Sequence, residues 1–199
     1  MKQHHWYYLD LDVSKAINPQ WQWPHLTVGE TEIISCINDL PSLFDEQWLS
    51  YAREKIGITP EFAMIFVRGE NCFEANAHTD APIKTYTPPR KSYWAINWSM
   101  APDTREIYWF DLPTHENYVS EDITPSTVGY YNYPLKFSKI CDHANVTMRA
   151  TLVRVDTPHW VGAGNARSAL SIRFLPDIEN ESWEWAVDYF QQRGLLIPR

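Results

Sequence analysis

Arg167-Ser168-Ala169-Leu170-Ser171-Ile172-Arg173-Phe174 reads as a β-strand entered through a turn, Gly162-Ala163-Gly164-Asn165. Alternate side chains of a strand share a face. Arg167, Ala169, Ser171 and Arg173 therefore look one way, and Ser168, Leu170, Ile172 and Phe174 the other. Arginines turned into a protein interior need an anionic partner there. Working outward, Met148 to Val155 is a further apolar run, and Thr157-Pro158-His159-Trp160 lies between it and the turn. From Phe62 onward the same pattern repeats, with short strands separated by turn residues, as an all-β fold requires. Phe62 to Arg68 is apolar enough to be buried on both faces, and Gly69-Glu70-Asn71 is a turn. Lys91 to Met100, Glu106 to Leu112 and Val128 to Leu135 are further strands. Thr87-Pro88-Pro89-Arg90 reads as a loop, and the polar segment Pro113 to Pro125 as a loop or hairpin insertion.

Upstream stands His78-Thr79-Asp80, closed by Ala81-Pro82. On an extended strand His78 and Asp80 project together while Thr79 points away. Two histidines and one carboxylate occupy one face of an octahedral ion and leave the opposite positions open, which is what ferrous iron needs to handle oxygen. A His-x-Asp tripeptide alone is common in solvated loops. The context of His159, between a strand and a Gly-rich turn that opens onto Arg167, makes it the candidate third ligand. His143, ahead of a strand, is the rival, and His115 in its polar loop reads as a hydrated surface residue. His4 and His5 are adjacent, point to opposite faces of a strand, and read as surface.

In this order and context, His78, Asp80, His159 and Arg167 resemble the iron(II)- and 2-oxoglutarate-dependent oxygenases of the prolyl- and aspartyl-hydroxylase type. Arg167 followed by Ser171 resembles the Arg and Ser or Thr pair of their closing strand. The resemblance covers residues 62–175 and implies a double-stranded β-helix, or jelly-roll, barrel. It also implies Fe(II) held by His78, Asp80 and His159, and 2-oxoglutarate chelating that ion. Arg167 would grip the distal carboxylate in bidentate geometry, with Ser171 hydrogen-bonding it. Arg173 is a candidate for the other carboxylate or for substrate. On Lys91 to Met100, Tyr93, Ala95, Asn97 and Ser99 share a face opposite Trp94, Ile96 and Trp98, and either set can be the interior. If the polar set is inside, Tyr93 and Asn97 help hold the cosubstrate. O2 is then the second cosubstrate, and succinate and CO2 are coproducts.

With 199 residues, 44% of them hydrophobic, the chain forms one domain with a sizeable core. Residues 1–61 are an N-terminal strand and helix extension, 62–175 the barrel and 176–199 a closing helix. Trp6 to Leu11 is a first strand; Glu30 to Asn38 is open between strand and helix. The spacing predicts a helix over 42–56 with Ser42 as its cap, and another over 181–193 capped by Ser182 and ended by Gly194. Trp21 and Trp23 cap one end of the core.

A net charge of −8 without a basic run disfavours nucleic acid. Cys36, Cys72 and Cys141, an odd number without metal spacing, point to reduced thiols in a cytoplasmic setting. No apolar run predicts a membrane span or a signal peptide. The ten tryptophans and eleven tyrosines suit a large sticky groove, hence a peptide, protein or small amino-acid-like substrate. Two alternatives stay open. Arg167-Ser168-Ala169-Leu170-Ser171-Ile172-Arg173 resembles the Arg-x-Asn-Leu-Thr-x-Arg segment of nucleobase demethylases of the same superfamily, with Ala169 in place of Asn. A non-catalytic cupin-like metal binder is the other, although cupins carry His-x-His. The sequence leaves the oligomeric state open.

Overall fold

The computed structural model describes residues 4–70, 72, 77–80, 92–102, 105–111, 120–123, 129–133, 139–145, 147–174 and 182–198. The chain is mainly β, with two six-stranded antiparallel sheets and three helices among those residues. The first sheet has the order β1 (Trp6–Tyr8), β10 (Thr151–Arg154), β5 (Trp94–Ser99), β12 (Arg167–Arg173), β3 (Phe62–Arg68) and β2 (Glu32–Ile37). The second runs β7 (Ser120–Ile123), β8 (Gly129–Tyr133), β4 (Ala77–Asp80), β11 (His159–Val161), β6 (Glu106–Asp111) and β9 (Lys139–Asn145). The sheets meet face to face, since Ala95 and Val153 of the first pack with Ile107, Trp109, Ala144 and Val161 of the second. This is the layering of a β-sandwich. Instead of the barrel expected from the sequence, the described strands form two open sheets.

The four inner strands of the first sheet, β10, β5, β12 and β3, are buried on both sides, and its edge strands β1 and β2 are half-buried. Trp94, Ile96, Trp98, Leu170 and Ile172 face the main core, together with Trp48, Leu49, Ala52 and Ile56 of α2 (Glu46–Ile56) and Trp183, Ala186 and Phe190 of α3 (Trp183–Gln192). Trp94 stacks on Phe174 at 5.0 Å and meets the Phe190 edge at 5.5 Å. The polar set of β5 therefore turns toward the other sheet. Trp21 and Trp23 of the N-terminal segment pack, half-buried, on this helix-side core.

Two helix starts differ in kind. Ser182 caps α3 as predicted, accepting from the Trp185 N–H at 3.0 Å. Ser42 instead lies inside a short helix, α1 (Leu40–Leu43), and Asp45 caps α2 by accepting from the Trp48 N–H. Asp45 competes well for that place because its carboxylate meets the positive end of the helix dipole. At the far end of α2, Gly57 adopts φ 75°, and the Arg193 guanidinium donates to the carbonyls of Glu54 and Lys55, both at 2.9 Å.

The open segment Glu30 to Asn38 holds strand β2, and β7, within the stretch read as a loop or hairpin insertion, pairs antiparallel with the next strand, β8. His5, expected at the surface, is buried: its ring stacks on Trp109 at 5.8 Å and its backbone N–H donates to Asp142 at 2.9 Å. His115 and the Thr87–Arg90 loop lie outside the described residues. No helix among the described residues is long and apolar enough to cross a membrane.

Candidate metal centre

β4 and β11 are neighbours in the second sheet, and their register sets His159 directly opposite His78. Cross-strand partners have Cβ atoms about 4.5–5.5 Å apart; here the imidazole centroids are 4.3 Å apart, inclined at 57°. Asp80, two residues beyond His78, lies on the same face. One ligand atom from each of His78, Asp80 and His159 falls within 4.8 Å of the others. Neighbouring donors on one face of an octahedral ion, each ~2.1 Å from it, are ~3 Å apart, so binding would draw the three together by up to ~2 Å.

The local hydrogen bonds prepare these groups for a cation. His159 Nδ1 lies 3.0 Å from the Thr157 carbonyl. A carbonyl can only accept, so Nδ1 carries the proton and Nε2 presents its lone pair, the arrangement that orients ligating histidines generally. Asp80 is 2% exposed and holds one carboxylate oxygen, Oδ2, in an ion pair with Arg173. Its other oxygen, Oδ1, is buried with no hydrogen-bond partner among the described residues. A buried carboxylate oxygen without a donor is costly, and a cation placed between the imidazoles removes that cost. The Asp80 backbone N–H donates to Val155 O at 3.0 Å, tying the end of β4 to the chain leaving β10.

The triad opens into a cavity of about 60 Å³ between the sheets, room for a few water-sized groups. Arg167, Arg173 and Asn97 supply its polar wall from the first sheet, while Phe66, Ile107, Val155 and Val161 make the remainder apolar. Arg167 and Arg173 are 8% and 4% exposed. Ser171 sits between Ala169 and Arg173 on this face, in register with Asn97. Ser171 Oγ and Asn97 Oδ1 are buried without partners among the described residues. Asn97 lines the cavity and its oxygen fits a site that receives a polar ligand, whereas Ser171 lies behind the residues that line it. A wider groove of about 470 Å³ shares Arg68 and Arg167 but none of the triad.

One expected participant lies elsewhere, and so does the rival ligand His143. Tyr93 precedes β5 and packs on the helix-side core rather than in the cavity wall, so it is not placed to hold a cosubstrate. Alternation carries only from Ala95 onward, because the strand begins at Trp94. His143 lies exposed on β9, stacked on Tyr108 at 6.2 Å and 3.6 Å from Glu106, away from the triad. Arg173, expected to face a ligand carboxylate, is engaged with Asp80 deep in the fold. Burial pushes the Cys36 thiol up, partly offset by the Arg173 charge, so no thiolate competes from that side.

Two arginines went unremarked in the sequence. Arg68 ends β3, is 3% exposed, lines the cavity and pairs with Glu32. Arg105 is fully buried and donates through Nη2 to Gly69 O at 2.8 Å and Gly164 O at 3.2 Å. The available signal for Arg68 was a charge closing a strand read as buried on both faces. No protein-family model matches the chain, and no match is found among curated proteins. Two open antiparallel sheets with a His-Asp-His cluster between them define a mainly β protein with a candidate metal centre.

Proposed function

We propose that the chain is an Fe(II)- and 2-oxoglutarate-dependent dioxygenase on a double-stranded β-helix variant of the two-sheet fold. It would hydroxylate a peptide or protein residue or a small amino-acid-like substrate. One observation carries the reading: His78, Asp80 and His159 converge in the cavity that Arg167 also lines. His78, Asp80 Oδ1 and His159 Nε2 would hold the metal from one side, and that donor set suits ferrous iron with open positions. When bound, the iron and 2-oxoglutarate would supply oxidative decarboxylation and oxygen insertion.

The chain's own residues bind, orient and exclude. Arg167 would take the distal carboxylate with its planar fork, and Ser171 Oγ would donate a hydrogen bond at the same wall. Arg173 fixes the rotamer of Asp80 and keeps Oδ2 occupied, which directs Oδ1 to the metal. Phe66, Ile107, Val155 and Val161 keep bulk water from the reacting centre, so each charge interaction inside is stronger.

Anaerobic addition of 2-oxoglutarate to the Fe(II)-loaded protein tests this. A weak visible metal-to-ligand charge-transfer band is expected, with succinate formed once oxygen is admitted. Iron binding without any band or turnover would remove the cosubstrate from the account.

A further inference from the structure

We propose that Arg68 is the second half of a two-guanidinium clamp with Arg167, and that it restricts the site to dicarboxylic 2-oxo acids. The inference rests on the cosubstrate reading above and assigns its specificity.

In the antiparallel pairing of β12 with β3, Arg167 stands directly opposite Arg68. In the next pairing, β3 with β2, Arg68 stands opposite Glu32. The three form one row across the sheet, Glu32, Arg68, Arg167, on the face turned toward the metal centre. Both arginines line the cavity that holds the triad, and they are 3% and 8% exposed. A ligand carboxylate, with two oxygens to offer, can meet two guanidiniums set side by side in this way. Glu32 engages the Nε edge of Arg68 on the side away from Arg167, which holds the fork in plane. Arg105 adds rigidity by donating to Gly69 O, just after Arg68, and to Gly164 O, in the turn before Arg167. The two strand ends are thereby tied to one side chain.

A 2-oxo acid that ends in a methyl group gains nothing at this row, whereas a second carboxylate meets both cations. The selectivity for a dicarboxylate over a monocarboxylate of similar length should therefore depend on Arg68 as well as on Arg167.

The test uses the Fe(II)-loaded protein under anaerobic conditions, with dissociation constants for 2-oxoglutarate and for 2-oxobutyrate read from the visible band. Arg68→Met is expected to weaken 2-oxoglutarate about tenfold to a hundredfold while leaving 2-oxobutyrate and iron affinity near parental. Arg68→Lys keeps the charge beside Glu32 but loses the fork, and is expected to weaken 2-oxoglutarate about fivefold. Should Arg68→Met lose iron as well, its fold has failed and Arg68→Lys decides. A parental ratio of the two affinities in an iron-binding variant overturns the clamp. A parent protein that binds iron but neither acid overturns the cosubstrate reading, and the clamp with it.

Discussion

Arg173 and Asp80 form a buried ion pair that joins the two sheets, the arginine on β12 and the aspartate at the end of β4. Both side chains are nearly inaccessible, at 4% and 2%. Removing one partner of such a pair strands the other charge and costs about 3–5 kcal/mol. Arg173→Met is expected to lower the stability of the metal-free protein by about that much in urea unfolding. Added divalent metal should recover more stability in the variant than in the parent, because the ion then supplies the missing positive charge.

Arg167 should be separable from the metal. Arg167→Ala is expected to weaken 2-oxoglutarate about a hundredfold, the loss of a bidentate charge-assisted contact, while iron affinity stays near parental. Equilibrium titrations with each ligand check both halves.

His5 makes stability depend on pH. Burial lowers its proton affinity first, and the Arg154 charge lowers it further, against an opposing effect from Asp142. The unfolded chain takes up the proton near the ordinary value of 6.5, before the folded one does. Stability is therefore full above that pH and falls as pH drops through it toward the lower folded value. Melting temperatures between about pH 7.5 and 5 should fall less steeply in His5→Phe, which keeps a ring against Trp109 but cannot titrate.

The start of α2 gives a simple check of local structure. Asp45→Ala is expected to cost about 1 kcal/mol by removing the acceptor for the Trp48 N–H. Ser42→Ala should cost less, since Ser42 Oγ donates only to Asp39 O at the exposed end of α1. Chemical denaturation of the two variants side by side measures the difference.

What the sequence made legible was local. The two-residue spacing of His78 and Asp80 put both on one face, and Phe62–Arg68 could be read from its unbroken apolar run and Arg167–Arg173 by alternation, because turn residues bound them. The Ser182 cap was legible for the same reason. What escaped were pairings made at a distance. That His5 is buried depends on Asp142 and Trp109, which only the folded sheets bring to it. That Arg68 faces Arg167 depends on the register of two strands far apart in the chain. Tyr93 misled because alternation cannot say where a strand begins. The open sheets instead of a closed barrel are a property of edges, and no single strand encodes its edge.

The central claim is that His78, Asp80 and His159 grip one ferrous ion together. Anaerobic Fe(II) titration of the parent and of His159→Ala, read by calorimetry, tests it most directly. A single ion per chain is expected in the parent, with affinity falling by at least about a hundredfold in the variant, since its loss takes one of three ligands. Equal affinity in the two proteins would contradict the claim.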